Sequence, residues 1–292
     1  MPARAAPRKL ETLGHRSPLG DWEYVFADPA PALAGIVRRY CGYRERTAGP
    51  LRRRELPGAQ MVLIVDLGPT LAVLGRDRPE RRDRFAGGFA AGLDDGPTLT
   101  ETTGEMSGVQ IDLTALGGRL LLGRQAAALS GRVAGLAEVD GPFRGLAERL
   151  GNLATWEERF DALDRLLLQA TARAAPLPGW VRWTAEQLES SGGRAPVLEL
   201  ARTAGVSRKH LAATFRAELG MTPKRFARLV RFDGLLRRLR SGHPRDWTAT
   251  ALDAGYYDQA HFVREFRAFT GLTPGELRRR SRPDLGGVVE PG

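Results

Sequence analysis

The chain of 292 residues holds a single cysteine, Cys41, and four histidines. One thiol excludes an intramolecular disulfide framework and a cysteine-rich zinc site. Long apolar runs are missing too. Met61-Val-Leu-Ile-Val65 stops at Asp66, far short of the roughly 20 residues a membrane span requires. Residues 1–17 carry Arg4, Arg8 and Lys9 with no apolar stretch behind them, unlike a secretory signal. These absences point to the cytosol (nucleoid-associated, if DNA is the partner) and to no membrane partner. There is no phosphate loop, no G-x-G-x-x-G and no G-x-S-x-G, so the usual cradles for nucleotides and activated serines are absent. His15 falls in an apparent N-terminal tail, and His210, His243 and His261 lie in the last third. The region between has no material for a histidine triad or histidine metal site. Cys41 reads as a buried structural thiol, because no acid–base partner is near it in sequence. No enzyme activity, no cofactor and no metal are expected.

Positive charge is abundant and unevenly distributed. Residues 180–282 carry 20 Lys and Arg against 10 Asp and Glu, whereas residues 1–179 carry 24 against 22. The excess of +10 therefore sits in the C-terminal third. A solvated face would explain it, but nucleic acid is the better-matched partner. Lysine is scarce, with Lys9, Lys209 and Lys224 beside 41 arginines.

At roughly 150 residues per domain the length suggests two domains. Residues 1–20 read as a flexible tail. Residues 21–173 read as an α+β regulatory or sensor domain: a small antiparallel sheet or barrel with flanking helices. Its expected helix over Pro31–Tyr43 rests on the spacing of Leu33, Ile36, Val37 and Tyr40. Short strands are expected at Met61–Leu67, Thr70–Leu74, Arg84–Phe89 and Gly108–Leu113, separated by Gly-Pro, Asp-Arg-Pro and Asp-Asp-Gly breaks. Residues 115–173 turn helical, at Leu116–Leu122, Phe143–Leu150 and Thr155–Thr171. Arg52–Arg54 reads as a solvated basic turn that could hold an anion. Residues 174–179, Ala-Ala-Pro-Leu-Pro-Gly, form the expected linker, and residues 283–292 a second tail.

Residues 180–282 read as all-α and contain an internal duplication. Ala204-Gly205 matches Ala254-Gly255, Leu211 and Phe215 match Phe262 and Phe266, and Gly220-Met-Thr-Pro223 matches Gly271-Leu-Thr-Pro274. Each copy reads helix, glycine turn, helix, then a Thr-Pro that starts another helix, with Thr as N-cap. That is a helix-turn-helix. The plain alternative is an ordinary helical hairpin, but two copies in a basic segment favour DNA. In the helix at 207–219 the outward candidates are Arg208, Lys209, Ala212, Ala213 and Arg216. In the helix at 258–270 they are Gln259, Ala260, His261, Val263, Arg264 and Arg267. Side chains on the early turns of such helices reach base edges in the major groove. Between the copies, a helix from Thr222-Pro223 to about Arg240 spans roughly 26 Å at 1.5 Å per residue. It could hold two recognition helices near one turn of B-DNA, about 34 Å, apart.

Ala254-Gly-Tyr-Tyr-Asp-Gln-Ala-His-Phe-Val-Arg-Glu-Phe266 with Thr270-Gly-Leu-Thr-Pro274, and Leu200-Ala-Arg-Thr-Ala-Gly-Val-Ser-Arg-Lys-His-Leu211 with Phe215, resemble the DNA-binding domain of AraC/XylS-family bacterial transcription regulators. Tyr40-Cys-Gly-Tyr-Arg-Glu45 and Arg52-Arg-Arg-Glu-Leu-Pro57 are similar to the sensor half of an actinobacterial AraC-like subgroup. The resemblance implies seven C-terminal helices, two of them recognition helices, and a regulatory N-terminal domain. Its implied partners are double-stranded DNA, RNA polymerase, a small-molecule effector and a second copy held through the N-terminal domain. Lys209, Ala212 and Ala213, with Gln259, Ala260, His261, Val263 and Arg264, occupy its base-contact positions. Family members often place long polar side chains where Ala212 and Ala213 stand. The other readings are a DNA-binding regulator without an effector, an enzyme fused to a DNA-binding domain, and a sequence-indifferent packaging protein. The last gives two differentiated recognition helices no purpose.

Overall fold

The computed structural model describes residues 8–76, 78, 80–240, 247–282 and 287–290; His243 lies outside them. The N-terminal part begins with strands β1 (Leu10–Ser17), β2 (Gly20–Ala27), β3 (Val37–Thr47), β4 (Leu51–Glu55) and β5 (Gln60–Asp66). It continues with β6 (Ala72–Leu74), β7 (Arg82–Arg84), β8 (Gly88–Ala91), β9 (Thr98–Thr102) and β10 (Glu105–Thr114). Helices α1 (Ala115–Leu122) and α2 (Gln125–Ala128), strand β11 (Val133–Gly135), and helices α3 (Leu146–Gly151) and α4 (Trp156–Thr171) complete it. A seven-stranded sheet runs β1-β2-β3-β10-β5-β8-β11 and a four-stranded sheet runs β4-β9-β6-β7. Every pairing in both is antiparallel.

The larger sheet is covered on both faces. On one, Tyr40 stacks on Phe160 of α4 at 5.5 Å between centroids, and its hydroxyl donates to Asp164 at 2.8 Å. A Cβ at Gly42 would lie 2.5 Å from the Trp156 ring, so the strand admits α4 only because no side chain projects there. On the other face Ile64 and Phe89 pack with Leu71 and Val73, which belong to the smaller sheet's side.

This two-sided burial overturns the helix expected at Pro31–Tyr43. Only Pro31–Leu33 make a 3-10 turn, and β3 starts at Val37. A strand buried on both faces loses the period-two alternation of a half-exposed one, and its apolar residues then imitate helical spacing. The N-terminal tail also needs correction. From Leu10 onward it pairs residue by residue with β2, His15 stacks on Trp22, and Arg8 bonds Asp161 and Asp164. Nor are Arg52–Arg54 a basic turn: they are strand β4. Within 115–173, strand β11 interrupts the helices by pairing with β8.

The C-terminal part contains α5 (Gly179–Ser190), α6 (Val197–Thr203), α7 (Arg208–Leu219), α8 (Pro223–Arg240), α9 (Trp247–Asp253), α10 (Gln259–Thr270) and α11 (Pro274–Arg280). Two short strands follow, β12 (Ser281–Arg282) and β13 (Gly287–Val288). Of the expected tail at 283–292, residues 287–290 are therefore not a tail. Val289 bridges Arg53, and the Glu290 amide donates to the Arg52 carbonyl at 3.0 Å. Glu290 also accepts from Arg54 and Arg280.

One apolar core runs from the sheet through α4 into α5, α7, α8 and α10. Ion pairs cross with it. Arg119 of α1 meets Glu218 of α7 at 2.6 Å, with both side chains at or below 10% exposure. Arg38 of β3 reaches Asp233 at 3.0 Å and Glu189 at 3.3 Å. Asp95 receives Arg225 through two bonds, and this guanidinium draws the Asp95 carboxyl below its ordinary value.

Candidate nucleic-acid interface

The two helix-turn-helix units repeat down to their caps. Gly205 and Gly255 turn the chain at φ 68° and 85°, backbone that side-chain-bearing residues rarely adopt. Ser207 then caps α7 by accepting from the His210 amide at 3.1 Å, and Asp258 caps α10 by accepting from the His261 amide at 2.6 Å. Each helix closes on a left-handed glycine, Gly220 or Gly271. These polar caps satisfy amides that would otherwise be orphaned, and they fix where each helix starts.

Burial sorts the candidate residues. Leu211, Phe215 and Leu219 of α7 point into the core, as do Phe262, Phe266 and Phe269 of α10. Arg208, Lys209, Ala213 and Arg216 are exposed on α7, and Gln259, Ala260, Arg264 and Arg267 on α10. Ala212, Val263 and His261 are half-buried. His261 turns toward its own scaffold, with Nε2 3.6 Å from Glu265 and its ring edge-on to Tyr256 at 5.6 Å. The structure thus brings two basic faces to the surface and draws His261 partly inward.

Sequence reasoning missed the residues that hold these helices from behind. Glu265 lies on the inner side of α10 and accepts from Arg228 of α8 at 2.5 Å; the same guanidinium lies over the Phe269 ring. Arg54 donates to the Thr270 carbonyl at the end of α10, 3.1 Å away. Glu218 meets Arg119, as described. An acid on the buried side of α10 could have been noticed; its partner in another part of the chain could not. Tyr257 was also passed over. It is 87% exposed in the turn just before α10.

A second concave region lies between the sheets, a cavity of about 1060 Å³. Its walls include Tyr24, Phe26, Ile64, Phe89 and Met106, and α8 and α11 contribute Leu236, Leu239 and Leu277. At its polar end Glu45 accepts from both Tyr24 and Arg53, and Thr100 donates to Glu55 at 3.0 Å. Burial and the adjacent Glu45 carboxylate hold the Tyr24 phenol above its ordinary value. Cys41 borders the same space, and burial pushes its thiol up to about 12, which disfavours the nucleophilic thiolate.

A helix-turn-helix family model matches residues 200–280, the span of both units. Over 87 residues the chain is 34% identical to a putative AraC-like transcription regulator of Streptomyces antibioticus, covering 30% of this chain and 28% of that one. Residues 200–280 are thus a helix-turn-helix domain, similar in sequence to that of AraC-like regulators. The chain is also similar to an uncharacterized HTH-type transcriptional regulator of Haemophilus influenzae, 32% identical over 81 residues, with 28% of this chain and 27% of that protein covered. The chain therefore spans little more than a quarter of the length of these curated relatives. Among solved structures, ToxT from Vibrio cholerae aligns over 86% of this chain and all of its own, with a TM-score of 0.49 and 9% identity. Among the described residues no helix is long and apolar enough to cross a membrane.

Proposed function

We propose that this chain is a sequence-specific DNA-binding transcription regulator whose helices α7 and α10 enter successive major-groove segments. The observation that carries this reading is the doubled geometry. Two capped helices each bury an apolar stripe and expose arginines, in the segment that holds the chain's excess charge. Residues 179–282 are the DNA-binding unit and the sheet-bearing part from β1 to residue 173 the regulatory unit, joined at 174–178. On α10, Gln259, Ala260, Val263 and Arg264 face base edges, His261 contributes at the margin, and Arg267 meets phosphate. On α7, Lys209, Ala212 and Ala213 face the groove while Arg208 and Arg216 meet phosphate. The cavity between the sheets receives a small-molecule effector, RNA polymerase is the downstream partner, and the N-terminal part joins two copies. The protein works in the cytoplasm on the nucleoid and has no catalytic role; the buried Cys41 thiol supports that. A regulator without an effector is the second reading, favoured by one observation: Arg53 and Glu45 already satisfy each other inside the cavity.

Binding-site selection from random DNA tests the proposal. Arg264 projects away from the core between Phe262 and Phe266, where a guanidinium can contact guanine N7 and O6 together. Arg264→Ala should cost about 1–3 kcal/mol in specific binding and relax base preference in one half of the site. Arg216→Ala should weaken binding to all sequences alike. Selection that yields no motif, or an Arg264→Ala variant with unchanged preference, refutes the assignment.

A further inference from the structure

Strand β1 is the outermost strand of the seven-stranded sheet. It is eight residues long, contains no proline, and is exposed at every position except Ser17. One edge of β1 pairs with β2 from Leu10–Ala27 to Ser17–Gly20 without a bulge; the other pairs with nothing among the described residues. Folded proteins usually blunt such an edge with proline, a bulge, inward charge or a covering segment, because its backbone groups invite another strand. Here, beside Glu11, His15 and Arg16, the edge carries two exposed leucines, with Leu13 47% and Leu10 37% exposed. Beside it a ladder of rings climbs the same sheet face: His15 on Trp22 at 5.8 Å and Trp22 on Tyr24 at 4.8 Å.

We propose that β1 pairs antiparallel with β1 of a second copy of this chain, centred on Leu13, so that the seven-stranded sheet continues across a two-fold axis. This rests on the homodimer proposed above and gives it a surface. The register follows from geometry. An antiparallel pair related by a two-fold has its axis perpendicular to the sheet, and directly opposed side chains share a face. Opposed residue numbers must therefore sum to an even number, which leaves three central registers. Centring on Thr12 sets Lys9 against His15 and Glu11 against Leu13. Centring on Gly14 leaves glycine at the axis and sets Leu13 against His15. Centring on Leu13 opposes leucine to leucine, sets Glu11 against His15 twice, and lays the Arg16 stem along Leu10 twice. Only this register matches charge and apolar character together. It also adds the second copy's Glu11, Leu13 and His15 as the next row of the ladder.

The whole chain already supplies the test, because its native Cys41 is buried. Directly opposed residues stand about 4.5–5.5 Å apart between Cα atoms, within disulfide reach. Leu13→Cys should give a covalent dimer under mild oxidation. Glu11→Cys, on the same face but four positions out of register with its own copy, should not. Leu13→Lys should turn the dimer into a monomer by sedimentation, with an unchanged circular dichroism spectrum because the side chain is half exposed. Glu11→Lys and His15→Glu should each weaken the dimer, and the double exchange should restore it. A protein that is monomeric throughout overturns the homodimer itself. A dimer that survives Leu13→Lys and does not cross-link through Leu13→Cys overturns this surface and leaves the homodimer standing.

Discussion

The ion pair between Arg119 and Glu218 joins the sheet-bearing part to α7, and its removal has a size that can be worked out. Both residues are under 10% exposed and their atoms approach to 2.6 Å. A surface pair of this kind would contribute about 0–1 kcal/mol. Removing one member of a buried pair instead strands a charge without solvent or partner, at about 3–5 kcal/mol. Glu218→Leu and Arg119→Met should each fall in that range. For a chain of this size each kcal/mol lowers the unfolding temperature by roughly 2–4 °C, so the shift is on the order of 10 °C. The double variant Arg119→Met with Glu218→Leu should recover most of the loss, because two apolar side chains leave no charge behind. Denaturant unfolding of all four proteins closes the cycle. Single variants that cost under about 1 kcal/mol, or a double variant that costs the sum of both, would refute the description of the pair as a buried lock.

Asp66 gives a second test. Burial raises its carboxyl to about 7, and Oδ2 has no hydrogen-bond partner among the described residues. Between about pH 4 and 7 the folded state then holds a proton that the unfolded state has lost, so this group's contribution to stability falls across that window. Asp66→Asn should match the parent near pH 4 and exceed it in stability above pH 7; equal pH profiles would count against the burial. Specific DNA affinity should fall by about 10³-fold or more between 50 and 200 mM salt, since several arginines displace phosphate counterions; a flat response in a filter or anisotropy assay would remove the basic faces from the interface. Gly42→Ala should destabilise by about 1–3 kcal/mol, because its methyl group would overlap the Trp156 ring; a neutral effect in thermal unfolding would mean that α4 yields.

What could be read in advance was what is local. Ser207, Asp258 and Thr273 cap helices within three residues of themselves, and Gly220 and Gly271 end them. The hydrophobic stripes of α7 and α10 follow a single period. The sheets are different in kind. β10 lies between β3 and β5, an order that no spacing along the chain encodes. β3 hides among apolar residues because both its faces are covered. β1 looks like a tail because its exposed side chains leave no burial pattern to find. The candidate reading residues were visible for the same local reason as their helices. Their supports were not: Arg119 and Glu218 are 99 positions apart, and Arg54 reaches Thr270 across 216.

Those supports bear on helical phase. The end of α7 is tied to α1, α8 is tied to β3 and to Asp95, and the end of α10 is tied to β4. The rotational setting of α7 and α10 is then held by the sheets as well as by α8. On the DNA proposed above, one base pair inserted between the half-sites would turn the second by about 35° and carry it about 3.4 Å along the axis. Either displacement would have to be met by breaking one of these ties or by deforming the duplex, so on that proposal the spacer between half-sites would be as much a part of the recognised signal as the bases assigned to Arg264.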